Sequence, residues 1–290
     1  MTALYASGYA KLNLFLNVLG KREDGYHNIE SVMQAITLRD DMEIQIGTGE
    51  PWCIDSDRDD VPRNEDNLCW KAAERFFAAT GEDPKGLTVH ILKRIPMGAG
   101  LAGGSTDAAA LLRALDIYFG KPLSLDALCR LGAEIGSDVP FCILGGTAIT
   151  EERGQLLFPV LHEPKCYYVI VKPEASLSTR EMYEELDREG IPPMGDTKRV
   201  VNGIRNRNLS QIARNLYNVF EPLAVRRVPE IGRIKQRLKQ EGALGAQMTG
   251  SGSAVFGLFD KLETAMDACE TLRSVWPETF LAMNANSEED

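Results

Sequence analysis

Residues 93–105 (KRIPMGAGLAGGS) are the stretch where residue type and spacing point most directly to chemistry. A strand pattern, LTVHIL (87–92), runs into it. Pro96 breaks that pattern, glycines follow at 98, 100, 103 and 104, and a helical pattern begins at Ser105. Small residues let backbone N–H groups approach an anion closely, and a helix start adds partial positive charge. Ser105 and Thr106 supply hydroxyls suited to phosphate or a magnesium ion. Two further groups could work beside such a site. Lys11 and Asn13 alternate with Leu12 and Leu14, so they share one face of a strand. Asp138, in GSDVPF (136–141), offers a carboxylate that could accept a proton.

Known loop chemistries sort the possibilities. Gly98-Ala-Gly100-Leu-Ala-Gly103 matches GxGxxG, but a dinucleotide fold also wants an acidic residue closing a second strand about 20 residues on. Here a helix occupies that stretch, with Asp116 inside it. The Walker pattern fails because no lysine precedes Ser105, and neither HRD nor DFG occurs in the chain. A bare strand-to-helix turn has little need of so many glycines, since each costs backbone entropy on ordering.

The elements that must hold these residues are legible in outline. Strands are expected at 11–18 with one buried face, and at 42–46, 87–92, 167–171 and 280–285. Helices are expected at 67–81, 105–120, 123–136, 229–242 and 260–275. A further helix should start at Ser178, where Ser178 and Glu181 form a capping box, and run to about Asp187. Residues 246–259 read as strand, glycine turn, strand; 191–208 reads as a surface loop. Strands and helices mix without a regular βαβ repeat, which favours α+β. A composition shift near 154–164 suggests domains of 1–160 and 161–290.

Composition narrows the partners. The 290 residues carry 42 Asp+Glu against 32 Lys+Arg, a net charge of −10. That disfavours nucleic acid and leaves small phosphorylated ligands open. Residues 201–250 run against the trend, with nine Arg/Lys and three Asp/Glu; solvated helix faces are the expected explanation. No run of about 18 apolar residues occurs, so no membrane span is expected. The six cysteines form no CxxC and no zinc spacing; they read as buried, reduced thiols of a cytoplasmic protein. His90 and His162 have no partner pattern and read as structural. No cluster of His, Asp and Glu suggests a metal held by protein alone.

Three segments together resemble the GHMP kinases. Pro96-Met-Gly-Ala-Gly-Leu-Ala-Gly-Gly-Ser-Thr-Asp107 is similar to their phosphate loop, Tyr9-Ala-Lys-Leu-Asn-Leu14 to their first motif, and Thr249-Gly-Ser-Gly-Ser-Ala254 to their third. Gly20-Lys-Arg-Glu-Asp-Gly-Tyr-His27, Asp66-Asn67 and Gly136-Ser-Asp-Val-Pro-Phe141 are similar to the branch acting on 4-diphosphocytidyl-2-C-methyl-D-erythritol in the non-mevalonate isoprenoid pathway. The alternative is a homoserine or mevalonate type of the same family. The resemblance implies a two-domain α+β fold. Its N-terminal domain would be ribosomal S5 domain 2-like and its C-terminal domain ferredoxin-like, with the active site in the cleft between them. It implies ATP as co-substrate, with Mg²⁺ carried mainly by the ATP phosphates. By resemblance, Lys11 and Asp138 are catalytic. Pro96, Met97, Gly98, Ala99, Gly100, Leu101, Ala102, Gly103, Gly104, Ser105 and Thr106 would cradle the nucleotide, with Asn67, Lys93 and Asp107 near it. Asn13, Tyr26, His27, Thr179 and Tyr183 would bind the acceptor. Ala102 stands where this branch usually has Gly, Thr106 where Ser is common, and Glu151-Glu-Arg-Gly-Gln155 departs from the usual Gly-x-Gly-Glu.

Overall fold

The computed structural model describes residues 2–192 and 194–285. They form two compact units. One comprises the residues up to Ala10, Arg39–Ile95 and Ala102–Gly145; the other comprises Lys11–Leu38, Pro96–Leu101 and the residues from Gly146 onward. Two long strands, β1 (Thr2–Lys21) and β2 (His27–Ile46), contribute to both.

The first unit adds β3 (Cys53–Ser56), α1 (Leu68–Thr80), β4 (Leu87–Leu92), α2 (Gly103–Tyr118), α3 (Leu125–Ile135) and α4 (Val139–Leu144). Residues 41–46 of β2 pair antiparallel with β4, and β3 adds parallel to β4. In α1 the Asn67 side chain accepts from the Cys69 amide, Gly81 closes the helix in a left-handed conformation, and Cys69, Ala72, Ala73 and Phe76 recur at helical spacing on the buried face. That face packs with Ile44, Val89, Leu111, Leu112 and Val139.

The second unit adds β5 (Thr147–Glu152), β6 (Leu156–Pro159), β7 (Tyr167–Val171), α5 (Thr179–Glu189), α6 (Thr197–Arg205), α7 (Leu209–Arg214), β8 (Tyr217–Asn218), α8 (Glu221–Arg227), α9 (Pro229–Gln240), β9 (Gly245–Met248), β10 (Val255–Phe259), α10 (Leu262–Arg273) and β11 (Thr279–Met283). Its four-stranded sheet runs β11-β7-β10-β9 with every neighbour antiparallel, the strand order of a ferredoxin-like sheet. Val169, Val171, Leu238, Met248, Val255 and Leu272 form the centre of its core.

Several expectations change. The first strand extends over 20 residues and is buried on both faces from Ala10 to Val18, so Lys11, Asn13 and Asn17 lie inside. Alternation reported the strand correctly but not the cover on its polar face. The pattern at 42–46 is only the end of the 20-residue β2. The stretch 191–208 contains α6: Asp196 caps it through the Lys198 amide, and Val200, Val201 and Ile204 are buried. Polar outward-facing residues had masked that narrow apolar stripe. The α2 helix starts two residues before Ser105. None of the six cysteines forms a disulfide; Cys53 is exposed, while Cys129 and Cys142 are only partly covered. The acidic end beyond residue 285 lies outside the described residues.

Leu238 of α9 is fully buried, and a methyl group at Gly257 of β10 would fall 3.0 Å from its Cδ2. Leu238→Ala should therefore cost about 2–5 kcal/mol by leaving a cavity. The loss would appear as a lower urea midpoint at unchanged m-value.

Candidate active site

The glycine loop is a series of alternating backbone turns. Gly98, Gly100 and Ala102 have φ of 60°, 74° and 63°, separated by residues in ordinary conformations. Such alternation turns successive N–H groups toward one concave side, a nest for anions. Ala102 is the N-cap of α2, and Thr106 N bonds back to the Ala102 carbonyl. The amides of Gly103, Gly104 and Ser105 thus belong to the first turn, which has no intrahelical acceptors to offer them. Ala102 adopts the left-handed conformation without glycine's freedom, a cost of about 1 kcal/mol.

A second glycine turn, residues 249–254 between β9 and β10, packs on the first. A methyl at Gly100 would lie 2.3 Å from the Thr249 carbonyl oxygen, and one at Gly250 would lie 2.9 Å from the Gly100 carbonyl oxygen. Ala254 N donates to the Ala99 carbonyl, and Thr249 Oγ1 to that of Gly100. The first and third resemblance motifs also meet. Asn13 N donates to Thr249 Oγ1 at 3.0 Å. Asn13 Oδ1 accepts from Gly250 N at 3.0 Å and from Lys11 Nζ at 2.7 Å. Asn13 Nδ2 donates to Ser31 Oγ, and Lys11 N to the Leu101 carbonyl at the end of the glycine turn.

Within the first unit, Lys93 Nζ lies 2.5 Å from Asp40 Oδ2 and 2.7 Å from Asp107 Oδ2, with all three side chains buried. Burial opposes the Lys93 charge, but Asp107 and Asp40 outweigh it and leave its pKa raised. Asp107 is pushed up to about 7, chiefly by burial, with Asp40 adding to the rise and Lys93 opposing it. Its second oxygen, Oδ1, has no hydrogen-bond partner. Burial and the two nearby carboxylates also push the Cys69 thiol well up.

Asp138 is the N-cap residue of α4, but its carboxylate makes no capping bond to that helix. The preceding turn is held by Val139 N donating to the Gly136 carbonyl. Asn67 caps α1 and donates its amide to the Pro62 carbonyl.

The aromatic residues form a separate cluster in the second unit. His27 Nε2 is 2.7 Å from Asp187 Oδ1, and Lys21 holds the other oxygen of that carboxylate. The Lys21 and His27 bonds keep the Asp187 pKa low. The His27 ring stacks on Tyr183 at 4.6 Å, and Tyr183 meets Phe220 edge-on. Tyr26 is half exposed, with the Arg153 guanidinium 3.6 Å from its ring centroid. Thr179 Oγ1 lies 2.7 Å from Ser251 Oγ of the second glycine turn.

The sequence as a whole matches known proteins. GHMP kinases N terminal domain matches residues 67–146, and GHMP kinases C terminal matches 201–278. A 4-diphosphocytidyl-2-C-methyl-D-erythritol kinase of Caldicellulosiruptor saccharolyticus is 40% identical over 280 residues, covering 97% of this chain and 96% of the relative. The chain belongs to the GHMP kinase family. A kinase of the same name from Clostridium botulinum is 39% identical, covering 96% of this chain and 99% of its own. Among solved structures, a 4-(cytidine 5'-diphospho)-2C-methyl-D-erythritol kinase superposes with a TM-score of 0.82 at 29% identity, covering 98% of this chain and all of that one. Homoserine kinase from Cytophaga hutchinsonii reaches 0.76 at 17% identity and shares the fold, covering 99% of this chain and 95% of its own.

In this GHMP kinase the structure joins Lys11 to Asn13, Asn13 to the second glycine turn, and Lys93 to Asp107. His27 and Tyr183 meet directly, whereas Tyr26 is covered by Arg153. Asp40, Asn218, Asp187 and Arg153 escaped the sequence reading. Asn218 Nδ2 donates to the carbonyls of Met248 and Gly250, holding the second turn. Their partners lie far away in sequence, so no local pattern could announce them. Only the departure of Glu151–Gln155 from the branch pattern drew notice to the neighbourhood of Arg153. The basic stretch 205–239 supplies carboxylate partners: Arg226 and Arg227 to α5, Lys235 to Glu221, and Arg237 to Glu241.

Two outcomes follow from this geometry. Gly100→Ala would force a methyl into the Thr249 carbonyl at a positive φ; ATP affinity should fall at least tenfold, with a lower melting temperature, by titration and calorimetry. Because the native Asp107 pKa lies above its unfolded value of 3.8, the native state holds the extra proton between pH 4 and 7. Stability should therefore decline as pH rises through that window. Asp107→Asn removes this slope, so the wild-type melting temperature should drop relative to the variant from pH 4 to 7. A constant difference would refute the buried acid.

Proposed function

We propose that this GHMP kinase transfers the γ-phosphoryl of ATP to the 2-hydroxyl of 4-diphosphocytidyl-2-C-methyl-D-erythritol, releasing ADP and the 2-phosphate, in the non-mevalonate isoprenoid pathway. The observation that carries the phosphoryl-transfer part is the alternating turn at residues 98–102 opening onto the start of α2, a backbone cradle for an oligophosphate. The acceptor rests on full-length relatives of that name. None of the six thiols is disulfide-bonded, which supports a reducing, cytoplasmic setting.

Phosphoryl transfer demands position and charge stabilisation more than covalent help from the protein. Asp138 takes the proton of the acceptor hydroxyl as its oxygen bonds to phosphorus and the bond to the ADP oxygen breaks. Lys11, aimed by Asn13 Oδ1, offsets the charge on the moving phosphoryl. Residues 96–106 cradle the phosphates through backbone amides between Met97 and Ser105, with the Ser105 hydroxyl beside them; Pro96 has no N–H and the Thr106 amide is bonded to the Ala102 carbonyl. Asn67, Lys93 and Asp107 set the nucleotide wall. Among the described residues no His/Cys/Asp/Glu group is clustered to cage a metal. Mg²⁺ would arrive on ATP and neutralise phosphate charge, and the Ser105 hydroxyl is the side chain that would hold it.

Tyr26 provides a ring face for the cytosine. His27, Tyr183 and Thr179 complete that subsite, and Asn13 reaches the methylerythritol hydroxyls. Asp187 on Nε2 favours the imidazole tautomer with Nδ1 as acceptor, suited to an amino group such as the one cytosine carries. Homoserine and mevalonate have no base and give these rings no task.

Purified protein with ATP should release ADP with the diphosphocytidyl acceptor and not with homoserine or mevalonate. Silence with the first substrate would remove the acceptor assignment. Asp138→Asn and Lys11→Met should each lower kcat by about 10²-fold or more in a folded protein. Near-normal turnover in either variant would remove that residue from the chemistry.

A further inference from the structure

We propose that Asp40 is a positioning residue for the phosphate loop, a single buried carboxylate that ties the strand entering the loop to the helix leaving it. Asp40 belongs to β2, far from the loop in sequence, and is fully buried. Its Oδ1 accepts from the backbone amides of Arg94 at 2.6 Å and Ile95 at 2.8 Å, the two residues before Pro96. Its Oδ2 accepts from Lys93 Nζ, which also donates to Asp107 Oδ2 in the first turns of α2. A methyl at Gly103, the first residue of α2, would lie 3.2 Å from that ammonium. Entrance and exit of the loop are thus fastened to one cluster.

The chemistry explains why a charged cluster serves here. The loop between the fastenings has few side chains with which to anchor itself, so its ends must carry the constraint. Charge-assisted bonds are short and strong, and once buried they tolerate little displacement. One ammonium facing two carboxylates, with Asp107 Oδ1 left unpartnered, is more acid than a self-contained structural ion pair needs. Asp40 is itself sealed from solvent. It acts through Lys93, Arg94, Ile95 and Asp107, which hold the two ends of the loop that would bind ATP.

This inference rests on the kinase reading and is tested separately from it. In Asp40→Asn the amide oxygen can still accept from Arg94 and Ile95, but the NH₂ cannot accept from Lys93. The KM for ATP should rise on the order of tenfold, with kcat and the acceptor KM within about twofold. Amide hydrogen exchange should quicken at 94–95 and 103–107 and stay unchanged in β9 and β10. An unchanged ATP KM, or a parallel change in all three constants, would overturn the proposal. Should that variant not fold, exchange on the wild-type protein without ATP decides. Amides of Arg94 and Ile95 as slow as those of β10 support the fastening, and fast ones sink it. A wild type that consumes no ATP would instead remove the kinase reading.

Discussion

Two glycine turns touch backbone to backbone, and Asn13, Thr249 and Asn218 of the second unit satisfy the polar groups that this contact buries. At Gly100 there is no room for a side chain beneath the Thr249 carbonyl, and at Gly250 none beneath Gly100. Backbone groups that meet so closely and lie buried must still find partners. Asn13 takes the Gly250 amide, Asn218 takes the carbonyls of Met248 and Gly250, and Thr249 bridges to both Asn13 and Gly100. The antiparallel pairing of β9 with β10 brings the second turn to its place. The same Asn13 that satisfies the turn holds Lys11 Nζ, so packing and the proposed chemistry share one side chain.

Charge is handled locally. On the proposed reading, backbone amides of the glycine loop and Lys11 supply the local attraction that an acidic chain needs for polyanionic ligands. Lys93 works differently from a phosphate-binding lysine, because its ammonium is taken up by Asp40 and Asp107. Its charge is spent on holding the frame of the loop. Surface arginines of α8 likewise meet α5 carboxylates rather than ligands. Exposed pairs of this kind contribute little stability, whereas removing one partner of the buried cluster leaves an uncompensated charge.

The proposed acceptor side is built from aromatic contacts around a fixed imidazole. Asp187, held by Lys21, fixes His27; His27 covers one face of Tyr183, and Phe220 meets its edge. That order makes Tyr183 and His27 a preassembled wall. Tyr26 instead remains partly open to solvent under Arg153.

The sequence by itself determined what depends on neighbours along the chain. Helix α1 between Asn67 and Gly81, α5 behind its Ser178 cap, the glycine loop and the strand–turn–strand at 246–259 were legible, because caps, turns and periodicity are local signals. The types of Lys11, Asn13 and Asp138 were legible too, and the three motifs named the family before any coordinate did. Tertiary structure decided which polar groups are buried and what each one holds. Lys11 and Asn13 sit inside because the polar face of β1 is covered. Helix α6 exists because Val200, Val201 and Ile204 find a core to enter. Asp40, 53 residues from Lys93, became its partner only through folding. A side chain's partner across such a separation is set by packing, and no period or motif along the chain encodes it.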